Sequence, residues 1–240
     1  MYNPTALIEN QHSEKLFSVN MWNLDMLFPG FATGDLAVLY GSTSVLSLSS
    51  ILCVKAQLPT QMGGLASNVV FVDGANTFQL YHTTRLAKLH QLNPKKVLDR
   101  IIIARAFTAY QMTRLITQKL EETIKKHNAK LAIISDLAAT FLDKDIPDEE
   151  AQKIYSQIIA KLSAIAKKHQ TIIIATYPPH QNTQRNICLQ TLTQSNANVV
   201  LNLHHSKYTR KITLEKHPSY ALGSIELPTE TLQLNHFMET

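Results

Sequence analysis

Leu36-Ala-Val-Leu-Tyr40, followed directly by Gly41-Ser-Thr-Ser-Val-Leu-Ser-Leu48, is the stretch that decides the fold. An uncharged apolar run reads as a strand, the glycine ends it, and a hydroxyl-rich loop leads into a helix that carries Ile51, Leu52 and Cys53. Strand, glycine turn and helix make the opening of an α/β unit. The same alternation continues along the chain. Val69–Asp73, Arg100–Ala104, Leu131–Ser135 and Thr171–Thr176 are short runs rich in Val, Ile and Leu. They lack polar alternation, as strands covered on both faces do. Between them Met112, Leu115, Ile116, Leu120 and Ile124 form one helical stripe, and Ala151, Ile154, Tyr155, Ile158, Ile159, Leu162 and Ile165 form a longer one. The longer helix opens with Asp145, Pro147 and Asp148-Glu-Glu150 and closes at Lys167-Lys-His169, which suits the helix dipole at both ends. Asn198–Leu203, Tyr208–Lys216 and Ser224–Leu227 are short strands joined by turns. The expected fold is therefore α/β: a mostly parallel central sheet flanked by helices, with a C-terminal antiparallel extension.

Composition narrows the class. With 45% hydrophobic and 17% charged residues in 240, the chain is globular rather than disordered. Its length suits one large domain, read as an arm over residues 1–20 and a core over 21–240. The longest apolar runs, such as Val69–Val72 and Ile172–Ala175, are strand-sized and far below the roughly 18 residues of a membrane span. The opening MYNPTALIENQHSEKLF has no basic start followed by an apolar core, so no secretion signal is expected. Cys53 and Cys188 are too few for a disulfide framework or a zinc site, which points to a reducing, cytoplasmic setting, nucleoid-associated if DNA is bound. A formal net charge of +5 permits a polyanionic partner without requiring one.

In such a sheet ligands sit at the carboxyl ends of the strands. The residues there are Gly41 and its hydroxyl run, Asp73-Gly-Ala-Asn76, Asp136, and Thr176-Tyr-Pro-Pro179. Ser42, Thr43, Ser44 and Ser47 serve either as helix caps or as anion donors at the helix N-terminus. Asp136 reads as a satisfied strand-end carboxylate or a magnesium ligand, and Asp73 as a turn residue closing Asp-Gly. Cys53, among Leu48, Ile51 and Leu52, reads as core. His204 and His205 are neighbours in a strand and point to opposite faces, so no shared metal is expected.

The order of these pieces resembles the core ATPase domain of the RecA/RadA recombinase family, especially the archaeal RadA type and its paralogs. The resemblance is carried by Asn23-Leu-Asp-Met-Leu-Phe-Pro-Gly-Phe-Ala-Thr-Gly-Asp35, by Val70-Phe-Val-Asp-Gly-Ala-Asn-Thr-Phe78 and by Leu92-Asn-Pro-Lys-Lys-Val-Leu-Asp99. Ile103-Ala-Arg-Ala-Phe107 and Leu131-Ala-Ile-Ile-Ser-Asp136, the latter similar to the family's Walker B strand, complete it. It implies a RecA-like, P-loop-type core without the family's separate N-terminal DNA-binding domain.

The departures matter more than the matches. A working phosphate loop needs glycines so that backbone N–H groups can curl around phosphates, a lysine for charge, and a hydroxyl for magnesium. Counting from Gly41, the second glycine is Leu46, the lysine is Ser47 and the hydroxyl is Leu48. The family's acidic residue two positions beyond Asp73 is here Ala75, and the polar residue after the fifth strand is Tyr177 or Pro178. The resemblance thus implies a pseudo-ATPase with no ATP–magnesium cofactor, its nucleotide-binding set reduced to Gly41, Ser42, Thr43, Ser44, Ser47 and Asp136.

The family's two DNA loops correspond to Leu142–Glu150, with five acidic residues against one lysine, and to Pro178–Asn196, which reads as a long polar loop with His180 and Arg185. Positive charge is denser later, in His204, His205, Lys207, Arg210, Lys211, Lys216 and His217 against Glu215. Arg185, Lys207, Tyr208, Arg210 and Lys211 are the DNA-binding candidates, weighed against a merely solvated hairpin. Lys95-Lys96 and Lys125-Lys126 read as exposed helix or loop ends. Lys216–Glu226 resembles the family's loop that caps a neighbouring subunit's nucleotide, with Pro218 retained as a partner-facing residue. Two expectations follow from the resemblance. One is a non-catalytic paralog that binds single- or double-stranded DNA, an active RadA-type recombinase or another paralog. The other is a nucleotide-binding sensor or residual ATPase whose loop works without lysine.

Overall fold

The computed structural model describes residues 16–19, 22–206 and 209–227. Its central sheet holds β1 (Leu36–Gly41), β2 (Asn68–Asp73), β3 (Ile101–Arg105), β4 (Ala129–Ser135), β5 (Ile172–Tyr177), β6 (Val199–His205), β7 (Arg210–Lys216) and β8 (Gly223–Leu227). Their order across the sheet is β3-β2-β4-β5-β1-β6-β7-β8. The first six strands are parallel, and β7 and β8 add antiparallel at one edge. The expected architecture is observed, with strand limits within two residues of those read from the sequence.

The unbroken apolar runs are explained by two cores. In β1, Ala37 and Leu39 face one of them while Leu36 and Val38 face the other, and β2, β4 and β5 alternate likewise. Each fully buried Val, Leu or Ile contributes roughly 1.5–3 kcal/mol of hydrophobic stabilisation. The first core is covered by α1 (Trp22–Leu27), α2 (Ser44–Lys55), α3 (Leu80–Leu89) and α4 (Pro94–Asp99). The second is covered by α5 (Ala109–Arg114), α6 (Leu120–His127), α7 (Asp148–His169) and α8 (Gln184–Asn196).

Local signals account for several of these helices. Asn93 caps α4 by accepting from the Lys96 N–H at 3.2 Å, and Pro94 takes the first turn, where no N–H is needed. The stripe from Met112 to Ile124 is split by a π-helical turn over Leu115–Lys119. α7 runs from its acidic first turn to Gln170 in the left-handed conformation, and buries Ala151, Tyr155, Ile158, Ile159, Leu162 and Ile165. Where a long polar loop was expected over Pro178–Asn196, residues 184–196 instead form α8. Thr183 starts it by accepting from the Asn186 N–H, and Leu189 anchors it in the core. Its apolar positions are too few to show a stripe in the sequence.

Most of the arm over residues 1–20 lies outside the described residues. Phe17 bridges Phe31 through two backbone hydrogen bonds, and the buried Lys55 donates from Nζ to the Val19 carbonyl at 2.5 Å. Among the described residues no helix is long and apolar enough to cross a membrane.

Candidate functional site

The turn after β1 is closed upon itself. Gly41 sits at φ +105°, and a methyl group built on it would stand 2.6 Å from Asn202 Oδ1 and 2.7 Å from the Leu203 carbonyl oxygen. Only glycine fits there. The chain then enters α2 within three residues. The Val45 N–H donates to the Ser42 carbonyl at 3.2 Å and the Leu46 N–H to that of Thr43 at 3.1 Å. Ser42 Oγ accepts from the Ser44 N–H at 3.2 Å and the Ser44 hydroxyl at 3.0 Å. The first amides of α2, which an anion would need, therefore have acceptors within the turn. Leu48 is buried, and Ser47 lines a cavity beside the helix.

The neighbouring strand ends form a network of hydroxyls. Asp73 is fully buried and accepts from the Thr77 N–H at 2.8 Å, the Thr77 hydroxyl at 2.9 Å and the Phe78 N–H at 3.2 Å, with Arg105 3.7 Å away. It organises the whole loop that contains Ala75, well beyond closing an Asp-Gly turn. Thr77 Oγ1 lies 2.7 Å from Ser135 Oγ, and Ser135 Oγ lies 3.4 Å from Thr176 Oγ1.

Strand β4 ends at Ser135, which pairs in register with Asp73, and Asp136 follows it, as read from the sequence. Asp136 lies at φ +48°, and its carboxylate pairs with His180 at 2.8 Å. Tyr177 packs edge-on against His180, with its hydroxyl on Asn186 Oδ1 at 2.6 Å, and burial foremost pushes its phenol up.

Arg185 needs a correction. On α8, its guanidinium is only 12% exposed and donates to the carbonyls of Phe141, Asp143 and Ile146 in the segment that links β4 to α7. It also pairs with Asp148. The residue holds the acidic loop closed, and its charge is compensated there, so nothing in its placement offers it to DNA. Of that loop's remaining carboxylates, Glu150 accepts from the Tyr110 hydroxyl.

The hairpin of β6 and β7 sets His204 opposite Lys211 and His205 opposite Arg210. Lys207 and Tyr208 lie outside the described residues. Arg210 and Lys211 join Ser44, Ser47, His82 and His204 around a cavity of about 260 Å³ whose floor is Leu48, Ile51, Leu86 and Ile212. Nε and Nη1 of Arg210 and Nε2 of His82 are buried there without a hydrogen-bond partner among the described residues. Burial, then the charge of Arg85, pushes the His82 imidazolium down in pKa. His205 lines the same cavity, despite the alternation expected of neighbouring strand residues. The convergence of His82 with the hairpin could not be read from the sequence, because it depends on how α3 packs on α2. Pro218 is exposed in the turn after β7. Cys53 is fully buried, its thiol pushed up by desolvation, as core packing requires.

A parallel sheet with this strand order, a turn-to-helix unit at β1 and an antiparallel edge defines a RecA-like core. The chain belongs to the Rad51 family, whose model matches residues 18–210. Over 130 residues, 52% of this chain, it is 32% identical to the DNA repair and recombination protein RadA of Cenarchaeum symbiosum (strain A). That match covers 32% of the relative, so the chain spans about a third of the length of the curated relative it matches. The family relationship is to recombination and repair proteins.

Proposed function

We propose that this chain is a non-catalytic Rad51-family paralog that acts as an accessory in homologous recombination and DNA repair, through DNA, a RadA-type recombinase subunit, or both. The observation that supports this is the entry into α2 after Gly41, where the amides of Ser44, Val45 and Leu46 already have acceptors on Ser42 and Thr43. The residues do not fit a nucleotide–magnesium pair. Leu48 offers no oxygen to a hard cation, Ser47 no charge, Ala75 no carboxylate, and Asp136 is held by His180. Pro218, exposed on the turn after β7, supports a partner-facing role for that loop. The test is co-purification from native cell extract with nuclease treatment. Association with a recombinase that survives nuclease supports the protein-mediated half, loss on nuclease supports the DNA-mediated half, and failure to recover either contradicts the proposal.

One observation favours a second reading, a nucleotide sensor with an unorthodox phosphate site. Arg210 and His82 present buried, unpaired nitrogens to a cavity that Ser44 and Ser47 also line. In that reading the hairpin supplies the cation that the turn lacks, and Arg210→Ala removes any stabilisation by ATP.

A further inference from the structure

At the amino end of the sheet, opposite the turns that follow β1, β2 and β4, α6 and α7 finish and β4, β5, β1 and β6 begin. Lys125 and Lys126 end α6, Lys130 starts β4, and Lys161, Lys167 and Lys168 lie on the second half of α7. These six lysines stand against Glu121 and the buried Asp35, since Glu122 is paired with Lys119, and so carry a formal +4. Glu121 gathers Lys125, Lys161, Lys168 and His169 within 3.4 Å. Lys168, then His169 and Lys161, hold its carboxyl well below the usual range. Lys126, Lys130 and Lys167 are exposed, and no ion pair engages them among the described residues.

Helix dipoles account for lysines in a last turn. They do not account for Lys130 on a strand, nor for the shape of the surface between these groups. Three clefts of about 600, 280 and 300 Å³ adjoin there. The first two share Thr33 and Gln170, and the second and third share Lys167, Asn198 and His217. They form one groove across β4-β5-β1-β6-β7, about 19 Å at a strand spacing of about 4.8 Å. Among the described residues its only lining carboxylate is Asp35, which is buried and accepts from the Ala32 N–H. Amides of Gln170, Asn196 and Asn198 line its length, and the rings of His217 and Tyr220, 4.4 Å apart, stand towards one end.

We propose that this groove binds single-stranded nucleic acid: Lys125, Lys130 and Lys167, which line it, take the phosphates, and Tyr220 with His217 offers a stacking platform for bases. A basic channel with an aromatic surface suits a single strand, whose bases are free to stack. The proposal rests on the nucleic-acid half of the function above and moves that contact from the β6–β7 hairpin to the opposite end of the sheet.

The test is fluorescence anisotropy with a labelled oligothymidylate of about 20 nucleotides, titrated at several salt concentrations between roughly 50 and 200 mM. The variant Lys125→Gln/Lys130→Gln/Lys167→Gln should bind about tenfold or more weakly, with a log–log salt slope shallower by about 2, at ~0.7 for each phosphate that a lysine no longer neutralises. Tyr220→Leu should weaken binding about tenfold with the slope unchanged, and Lys153→Gln, exposed on the first half of α7, should bind as the unmodified chain does. An unchanged affinity and slope in the triple variant, with its unfolding midpoint intact, overturns the groove. If Lys211→Gln then abolishes binding, the nucleic-acid reading survives at the hairpin. Duplex bound as tightly as the single strand overturns the single-strand assignment. No binding by the unmodified chain at low salt overturns both the groove and the nucleic-acid half, and leaves the recombinase half standing.

Discussion

His180 Nε2 stands 2.8 Å from Asp136 Oδ1, and this pair turns the carboxylate after β4 toward the loop after β5. The contact is largely buried, with Asp136 also anchored by its N–H on Thr176 Oγ1 at 3.0 Å. Asp136→Asn and His180→Ala should each cost about 1–2 kcal/mol, or roughly 2–8 °C in unfolding temperature. Urea unfolding of both single variants and the double should give a coupling of at least about 0.5 kcal/mol. Additive losses would mean that the two side chains do not act as a pair.

Arg185→Ala should be among the more damaging single changes on this face. It strips the donors from the Phe141, Asp143 and Ile146 carbonyls and leaves Asp148 without its cation. A loss of about 3 kcal/mol is expected, with faster proteolysis between residues 141 and 148. Arg185→Lys should recover only part of it, because an ammonium cannot reproduce the planar fork. Near-normal stability in Arg185→Ala would return the side chain to the surface.

Gly41→Ala tests the turn itself. The added methyl meets Asn202 Oδ1 and the Leu203 carbonyl, at a φ that L-residues rarely adopt. The expected cost is about 2–4 kcal/mol by denaturant unfolding. A cost below about 1 kcal/mol would show that β1 and β6 separate easily at this end.

Lys55 gives a pH dependence with a definite sign. It is 2% exposed, and burial, opposed by the charge of Asp25, lowers its pKa to about 8 from 10.5. Above about pH 8 the folded chain releases this proton while the unfolded chain retains it up to about 10.5. The Lys55 contribution therefore makes the fold more stable as pH rises through that window, and the gain is lost as pH falls back through 8. Relative to Lys55→Met, the unmodified chain should gain on the order of 3 kcal/mol between pH 7 and 10.5, at about 1.4 kcal/mol per pKa unit. A flat difference between the two would mean that the ammonium is solvated.

The sheet was legible in the sequence because strands covered on both faces leave uninterrupted Val, Ile and Leu runs, and because Asp148 and His169 mark the ends of α7. α8 was not, since Leu189 and Thr193 bury too little apolar surface to print a period. The strand, glycine and helix entry over residues 36–48 were legible residue by residue. The place of Asp136 just after β4 was legible too, but its pairing with His180 was not, because the two lie 44 residues apart in the chain. Arg185 looked like a loop cation because its partners, the Phe141 and Ile146 carbonyls, come from a segment about 40 residues away. The lysines at the ends of α6 and α7 read as solvated helix ends, because only the packing of Glu121 against α7 brings them together.

The most direct measurement is thermal unfolding with and without saturating ATP and magnesium. With the Ser44, Val45 and Leu46 amides already accepted by Ser42 and Thr43, and Leu48 and Ala75 in place of a hydroxyl and a carboxylate, this site predicts a midpoint unchanged within about 1 °C. A rise of about 5 °C or more, as a ligand at ~100 times its dissociation constant gives, would contradict it and establish nucleotide binding.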